Sequence, residues 1–433
     1  EDQGFDQVII HRGGGITQPS CPPGNSYFDP LLLDNGTMRK FKGYCMDVYT
    51  DETIRFIEAN KDKPFFAYLA TNTPHEPLQV QEKDAAPYLK AGLSEETAKV
   101  YGMVANIDDN FGRVLRTLDE LGLAENTIVI FMSDNGPKFK AEDRYTAELR
   151  GAKTSVFEGG IRVPFFIRWP DQLEAGASID RIAAHIDLMP TLLDASGIPL
   201  PEDIAFDGVS LLDLIKGETK SWPDRTLYFQ WHRGDEPELF RNMAALNQRY
   251  KLIQNRNHWK AEEKKQFELY DLQNDPSEEK DIARKHPERM DQLKKNYEKW
   301  FADVSQSRGF APSPAWIGSP LENPVVLNHQ DRRNANGWGK DRYHPNAFWP
   351  VNILKDGTYD ITLRLYAPAP KKGEAFFKTS TSEFHAPVAK GETVARITGI
   401  RLPQGETHVS AWIECDEKMS PHFLEIETGS KAK

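Results

Sequence analysis

The sequence has few cysteines, no long apolar run and no excess of positive charge. Its three cysteines, Cys21, Cys45 and Cys415, are odd in number and widely spaced, which argues against a disulfide framework and a zinc site. The longest apolar runs, such as Phe65–Ala70 and Thr127–Met132, are far too short to span a bilayer, so no membrane span is predicted. With 54 basic and 65 acidic side chains, the net charge of −11 argues against nucleic-acid binding.

The composition is otherwise that of a folded globular protein. Hydrophobic residues make up 39% and charged residues 27% of the 433 residues. That length allows a sizeable core and about two to four domains. The chain opens on Glu1, with no Met and no recognisable signal peptide.

The first half of the sequence alternates between strand and helix patterns. Apolar runs predict strands over Phe65–Ala70, Thr127–Met132 and Val163–Trp169, and helical spacing predicts a long helix between residues 94 and 122. A short helix is predicted over Asp187–Gly197, with Asp187 as its N-cap. Because Thr127–Met132 is apolar on both faces, we predict a central parallel strand there and a layered α/β core around it.

The second half changes character. Strands are predicted over Thr226–Trp231, Met243–Gln254 and Glu268–Leu272, without helices between them. A charged amphipathic helix follows over Glu288–Val304. This order predicts a small α+β subdomain with an antiparallel sheet and one covering helix. The Ser-, Gly- and Pro-rich stretch Ser307–Pro320 is the best linker in the chain.

Short alternating strands separated by turns fill the rest of the chain and predict an all-β sandwich module. The predicted strands cover Trp349–Leu354, Tyr359–Tyr366, Val394–Leu402, His408–Glu414 and His422–Ile426. The predicted domains are an α/β core over 1–222, the α+β subdomain over 223–306 and the sandwich over 321–433.

Asp134 and Asn135 follow the strand Thr127–Met132 and are candidate metal ligands. A carboxylate and an amide carbonyl on a tight turn suit a hard divalent cation. Asn-Gly after a strand is also a strong hairpin signal, and on spacing alone the two interpretations are evenly matched.

His75 and Lys153 are the candidate catalytic residues. His75 lies between Pro74 and Pro77, which restrict the backbone and suit a positioned acid, although a solvent-exposed loop histidine is the commoner outcome. Lys153 offers a compact ammonium for the oxygens of a tetrahedral anion, although most single lysines are surface residues. Taken together, these residues predict one site for an anionic ester, yet no Ser or Cys lies in a recognisable nucleophile motif.

Several segments, in this order and spacing, resemble the type I, formylglycine-dependent sulfatases of the alkaline-phosphatase-like superfamily. The resemblance runs from Glu1 to about Val304, and the sandwich is similar to the appended β modules of some bacterial members. It rests on Pro64–Pro77, Phe131–Gly136, Arg150–Pro170, His185–Gly197 and Glu268–Ala283.

The resemblance implies a role for each matching residue. Asp134 and Asn135 match two calcium (Ca2+) ligands, and Mg2+ is an alternative ion. Lys153 matches the lysine that holds the sulfate. His75 matches the histidine at the bridging oxygen, a proton donor to the leaving alcohol. The implied reaction is hydrolysis of a sulfate ester of a carbohydrate or an aryl alcohol.

The chain also departs from the family pattern. The C/S-x-P-S/A-R motif that carries the formylglycine, two acidic metal ligands before it and a Lys-x-His pair after it are absent. Cys21-Pro22-Pro23 imitates the motif, but Asn25 stands where arginine is required. We therefore expect that the chain is a sulfatase truncated at its N-terminus and inactive alone, with an exposed sheet edge.

Substrate contacts are predicted from His232 and Arg233, which follow the strand Thr226–Trp231 and offer two anion-binding groups beside Trp231. A structural role for Trp231 is an equal alternative. The family suggests a periplasmic or extracellular location. Two alternative functions remain: a phosphate or phosphonate monoester hydrolase of the same superfamily, and a non-catalytic glycan-binding protein.

Overall fold

The computed structural model describes residues 4–18, 20–138, 143–219, 222–232, 234–255, 266–306, 309–333 and 347–429. The chain divides into two compact units. One comprises Glu1–Val114, Arg233–Glu236 and Phe310–Lys433, and the other Leu115–His232 and Pro237–Gly309. The domain limits 1–222, 223–306 and 321–433 stay a prediction. Within the described residues, every helix is too short or too polar to cross a membrane.

The first unit begins with a small antiparallel sheet followed by helices. Asn35 and Gly36 have positive φ angles of 46° and 80°, the conformation of a tight hairpin turn, and they join the second and third strands. Ser94 accepts the N–H of Thr97 and so caps the long helix that the sequence predicts. These elements are β1 (Ile9–Ile10), β2 (Leu31–Asp34), β3 (Thr37–Lys40), α1 (Cys45–Asn60), α2 (Glu82–Lys90) and α3 (Glu95–Glu120).

The predicted strand Phe65–Ala70 is wrong. This segment is not part of any sheet among the described residues, and Phe66 and Tyr68 are 61% and 75% exposed. An apolar run of strand length forms a strand only when a neighbouring backbone supplies hydrogen-bond partners.

The β-sandwich module is confirmed. Two sheets, in the orders β10-β12-β17-β14-β15 and β11-β19-β13-β16, enclose one core that includes Trp349, Tyr359 and Phe377. The strand β10 lies inside the predicted linker Ser307–Pro320, so that prediction is wrong in part. The strands are β10 (Ala315–Ile317), β11 (Val325–Leu327), β12 (Trp349–Ile353), β13 (Gly357–Arg364), β14 (Gly373–Lys378), β15 (Glu383–Val388), β16 (Val394–Leu402), β17 (Gly405–Glu414), β18 (Lys418–Met419) and β19 (Phe423–Thr428).

In the second unit, the predicted central parallel strand is wrong. β4 (Val129–Met132) pairs antiparallel with β5 (Phe165–Arg168), and β4 is half-buried along its length. The apolar composition of both strands is compatible with burial on two faces, but composition does not decide the direction of the partner. The short helices of this part of the chain are α4 (Glu158–Ile161), α5 (Leu188–Ala195) and α6 (Leu212–Ile215).

The predicted α+β subdomain is confirmed as a four-stranded antiparallel sheet with a long helix. The sheet contains β6 (Leu227–Gln230), β7 (Met243–Leu246), β8 (Tyr250–Gln254) and β9 (Glu268–Asp271), in that order, and the helix is α7 (Pro287–Gln306). The single predicted strand Met243–Gln254 is a hairpin. Asn247 Oδ1 accepts the N–H groups of Arg249 and Tyr250, which closes the turn between its two strands.

The two faces of this sheet have different partners. On one face, Leu252 and Leu269 pack against Leu293 and Tyr297 of α7. On the other face, the side chains pack against the segment that carries Lys153; this second cluster contains Val156, Phe157, Ala244, Ile253 and Tyr270. The sheet is therefore the support on which that segment rests.

Asp187 does not cap α5 as predicted but forms a buried ion pair. Its carboxylate accepts hydrogen bonds from Arg225 and from the N–H groups of Ala184 and Val209. Burial alone raises the pKa of Asp187, but these hydrogen bonds outweigh burial and hold the pKa below its ordinary value.

We predict that Arg225→Met destabilises the protein strongly at neutral pH, by about 3–5 kcal/mol, because it leaves a buried carboxylate without its partner. In the parent, a lowered pKa means that the stabilisation by Asp187 is lost as the pH falls below the ordinary carboxyl value. The variant should instead gain from protonation of Asp187, so the gap in unfolding free energy should narrow from pH 7 to pH 4. Urea unfolding at several pH values measures this gap. Lys371→Met, in an exposed pair with Asp416, is the control and should change little.

Candidate anion and cation site

The turn that carries Asp134 and Asn135 follows β4 directly. Asn135 N–H donates to Asp134 Oδ1 at 2.8 Å, and Asn135 Nδ2 donates to Gly136 O at 3.0 Å. Since β4 pairs with the distant β5, the hairpin interpretation of this Asn-Gly is wrong among the described residues.

The structure brings Lys153 to this turn. Lys153 N–H donates to Pro137 O at 2.9 Å, and Gly136 N–H donates to Gly160 O at 2.9 Å. The two backbones are in such close contact that a Cβ on Gly136 would lie 1.8 Å from Gly159 O. Asp134, Asn135 and Lys153 therefore belong to one tightly packed pair of loops.

Gly159 and Gly160 are the two middle residues of the short helix α4. A Cβ on Gly159 would lie 2.6 Å from Arg150 O, and one on Gly160 would lie 2.3 Å from Ser155 O. Close backbone approach, and not an unusual φ angle, is the reason for glycine at both positions.

His185 is a neighbour of this turn that motif reasoning did not single out. Its Nε2 donates to the carbonyl oxygen of Ser133 at 2.9 Å, and its ring is exposed. The available signal was its place at the start of the segment His185–Gly197, which resembles the sulfatases. This hydrogen bond attaches the segment that begins at His185 to Ser133, the residue before Asp134.

His75 lies in the first unit, on an exposed loop whose backbone is hydrogen-bonded. Its Nδ1 lies 2.8 Å from Glu76 O, and because a carbonyl only accepts, Nδ1 carries a proton. Its backbone is held on both sides: His75 N–H donates to Asn72 O at 3.1 Å, and His75 O accepts from the Tyr27 hydroxyl at 2.9 Å. The imidazole is thus presented from a fixed backbone.

His232 follows β6 and is half-buried. The backbone N–H of the adjacent Trp231 donates to the backbone carbonyl oxygen of Asn242 at 2.9 Å. Arg233 lies outside the described residues. Contact of His232 and Arg233 with substrate stays a prediction.

The residues on the turn fit a hard cation in kind but not in number. The Asp134 carboxylate and the Asn135 amide are oxygen donors, two of the roughly six to eight that calcium takes. Among the residues that the structure describes, no group of three or more His, Cys, Asp or Glu could hold a metal ion. Further ligands would have to come from elsewhere.

Comparisons with known proteins agree with this fold. Residues 1–198 match the sulfatase family model, and residues 152–306 match the model of the N-sulphoglucosamine sulphohydrolase C-terminal region. The chain is 31% identical over 229 residues to the uncharacterized sulfatase YdeN of Escherichia coli K12, covering 52% of the chain and 39% of YdeN. It is 30% identical over 266 residues to the N-acetylgalactosamine-6-O-sulfatase of Bacteroides thetaiotaomicron, covering 57% and 49%.

A solved structure extends the comparison. The crystal structure of Ps i-CgsB superimposes with a TM-score of 0.61 and 26% identity, covering 71% of this chain and 69% of that protein. The chain spans less than half the length of the two curated relatives.

The fold is therefore a mixed α/β architecture of several sheets, of the alkaline-phosphatase-like class. Within that class, the chain matches the sulfatase model over residues 1–198 and is similar to known sulfatases, which confirms the resemblance to sulfatases stated from its motifs.

We predict that Gly136→Ala separates the two loops. The added Cβ would overlap Gly159 O, so the backbone must move, and overpacking of this kind lowers the free energy of unfolding by about 1–3 kcal/mol. Urea unfolding measures the loss. Gly357→Ala is the matched control, because its Cβ would meet Tyr359 only at 3.4 Å, an ordinary contact. Equal stability of the two variants would contradict the packing described here.

Proposed function

We propose that the protein is a sulfuric ester hydrolase that removes sulfate from a sulfated carbohydrate. The observation that carries the proposal is the backbone pairing that joins Lys153 to the Asp134–Asn135 turn. The pairing keeps the backbone of Lys153 next to the turn that carries Asp134 and Asn135. An ammonium and two oxygen donors are groups that a sulfate ester monoanion and its counter-cation require. The local cationic charge is needed because the whole chain carries a net charge of −11.

In this proposal, Lys153 binds the non-bridging sulfate oxygens. Its side chain is half-buried, so its attraction to an anion is screened less than that of a fully exposed lysine. Charge that moves onto those oxygens in the transition state is stabilised by the same ammonium. Asp134 and Asn135 would hold Ca2+ or Mg2+, which supplies further polarisation of the sulfate oxygens when bound.

His75 donates a proton to the leaving alcohol in this proposal. Since Nδ1–H is engaged with Glu76 O, the proton must come from Nε2, and Nε2 carries one only in the imidazolium form. The fixed backbone of the loop orients that atom. The formylglycine implied by the family would supply the attacking oxygen.

The relatives support a glycan substrate. One is named for its action on N-acetylgalactosamine 6-O-sulfate, and Ps i-CgsB has been solved in complex with k-i-k-neocarrahexaose. We assign His232 and Arg233 to contacts with the sugar or a neighbouring anionic group. A glycan of this kind lies outside the cytoplasm, so we place the protein in the periplasm or beyond.

We predict that Lys153→Ala abolishes measurable sulfate release. The assay uses the chain together with any coding sequence that precedes it, co-expressed with a formylglycine-generating enzyme, and follows sulfate from 4-nitrophenyl sulfate and sulfated oligosaccharides. Loss of a transition-state charge contact of this kind costs about 10²–10³-fold in kcat. Lys280→Ala, an exposed lysine of the same unit, is the control and should retain activity.

Three outcomes would contradict the proposal. They are the absence of sulfate release by the parent, a Lys153→Ala variant as active as the parent, and faster hydrolysis of 4-nitrophenyl phosphate than of the sulfate. The last would favour the phosphate or phosphonate hydrolase, and glycan binding without turnover would favour the non-catalytic alternative.

We predict that His75→Ala distinguishes substrates by their leaving group. A sugar alkoxide needs a proton to leave, so kcat on a sulfated sugar should fall by about 10²–10⁴-fold. 4-Nitrophenolate leaves without protonation, so the same variant should lose much less on 4-nitrophenyl sulfate. His385→Ala, an exposed histidine of the sandwich, should change neither rate. Equal losses on both substrates would show that His75 is not the acid.

A further inference from the structure

A fully buried lysine, Lys251, is the second residue of β8. Lys251 Nζ is 2.8 Å from Glu158 Oε1 and 2.9 Å from Glu278 Oε1. Lys251 and Glu278 have no exposed surface, and Glu158 is 7% exposed. We call Glu158, Lys251 and Glu278 the buried triad.

The buried triad ties the Lys153 segment, residues 150–161, to the four-stranded sheet. Glu158 opens α4 within that segment, Lys251 belongs to β8, and Glu278 follows β9. Glu278 Oε2 also accepts the backbone N–H of Glu158 at 2.7 Å. The segment is thus held by a side-chain ion pair and by a backbone hydrogen bond at the same residue.

A second tie lies on the other side of Lys153 in the sequence. Arg150 Nη1 donates to the Tyr270 hydroxyl at 2.8 Å and to Glu278 O at 2.9 Å. Its guanidinium also lies 4.0 Å from the ring centroid of Phe157. Lys153 is therefore bracketed by two residues that the sheet anchors, Arg150 before it and Glu158 after it.

The charges make this anchor stiff. Burial raises the pKa of Glu278, while Lys251 and the Glu158 N–H act in the opposite direction. A buried ammonium is tolerated only while its partners stay in place. Glu158 cannot move away without leaving Lys251 short of a carboxylate, so the segment cannot shift freely.

Backbone strain beside Lys153 fits the same picture. Thr154 has a φ of 74°, a left-handed conformation that β-branched residues rarely adopt. Strained conformations of this kind persist where the surrounding structure enforces them, and they cluster at functional sites. The hydrogen bonds of Arg150 and the ion pair of Glu158 with Lys251 restrain the backbone on both sides of Thr154.

We propose that the buried triad positions Lys153 for sulfate binding, so that Glu158, Lys251 and Glu278 are positioning residues of the site. This inference rests on the proposed function. None of the three is exposed enough to contact substrate, so their effect must pass through the segment that carries Lys153.

The test compares Glu278→Gln with the parent in two measurements. Hydrogen exchange reports whether the segment is held, at Lys153 N–H, bonded to Pro137 O, and at Gly159 N–H, bonded to Arg150 O. Titration with inorganic sulfate reports whether Lys153 is well placed. We expect exchange at both amides to be at least tenfold faster and the Kd for sulfate to be at least tenfold higher.

Two further variants keep the test decisive. Asp271→Asn is the matched control: it breaks the ion pair with Arg249 in the same sheet, where neither residue touches the Lys153 segment, and should leave both measurements within twofold of the parent. Tyr270→Phe removes only the hydroxyl that Arg150 contacts. It should shift both measurements in the same direction by about threefold even if Glu278→Gln fails to fold.

Unchanged exchange in Glu278→Gln and Tyr270→Phe would overturn the anchoring role. Faster exchange with an unchanged Kd, while Lys153→Ala abolishes sulfate binding, would overturn the positioning role and leave the proposed function intact. A parent that neither binds nor hydrolyses sulfate would contradict the proposed function itself and the positioning role with it.

Discussion

The buried ammonium of Lys251 is the constraint on which the second unit depends. An unpaired charge in this position would be prohibitive, and removal of one partner from such a pair typically costs about 3–5 kcal/mol. Glu158 and Glu278 must therefore converge on β8, and that convergence brings residues 150–161 onto one face of the small sheet. The opposite face packs against α7 through an apolar and aromatic cluster, with Arg289 of α7 over the ring of Tyr250.

Backbone contact then extends this specification to the site. Glycine at 136, 159 and 160 allows the turn after β4 and the start of α4 to approach within hydrogen-bonding distance. Through these bonds, the buried triad is connected to the backbone of Lys153 and to the Asp134–Asn135 turn.

Some elements were predictable because their cause is local. β16 has the predicted limits Val394–Leu402, since buried and exposed residues alternate along it except at Thr398 and Gly399, and such alternation specifies a strand. β15 escaped prediction because Pro387 lowers its strand signal, and it is tolerated there because β15 is an edge strand. The segment Phe65–Ala70 and the direction of β4 failed for the opposite reason: both depend on which backbone is the neighbour, and apolar composition does not encode that.

The sequence by itself determined the family, the types of side chain at the site and the order of α/β, α+β and all-β regions, because motif spacing and hydrophobic periodicity are properties of the chain. Only the tertiary structure decided that Lys153 lies against the Asn135 turn, that His185 supports Ser133, and that Lys251 is a buried ion-pair partner. In the sequence, Lys251 is a single charged residue within an apolar strand. Its two partners, Glu158 and Glu278, are far from it along the chain. Electrostatic pairing in a dry interior acts through space, so its partners are visible only when the fold is known.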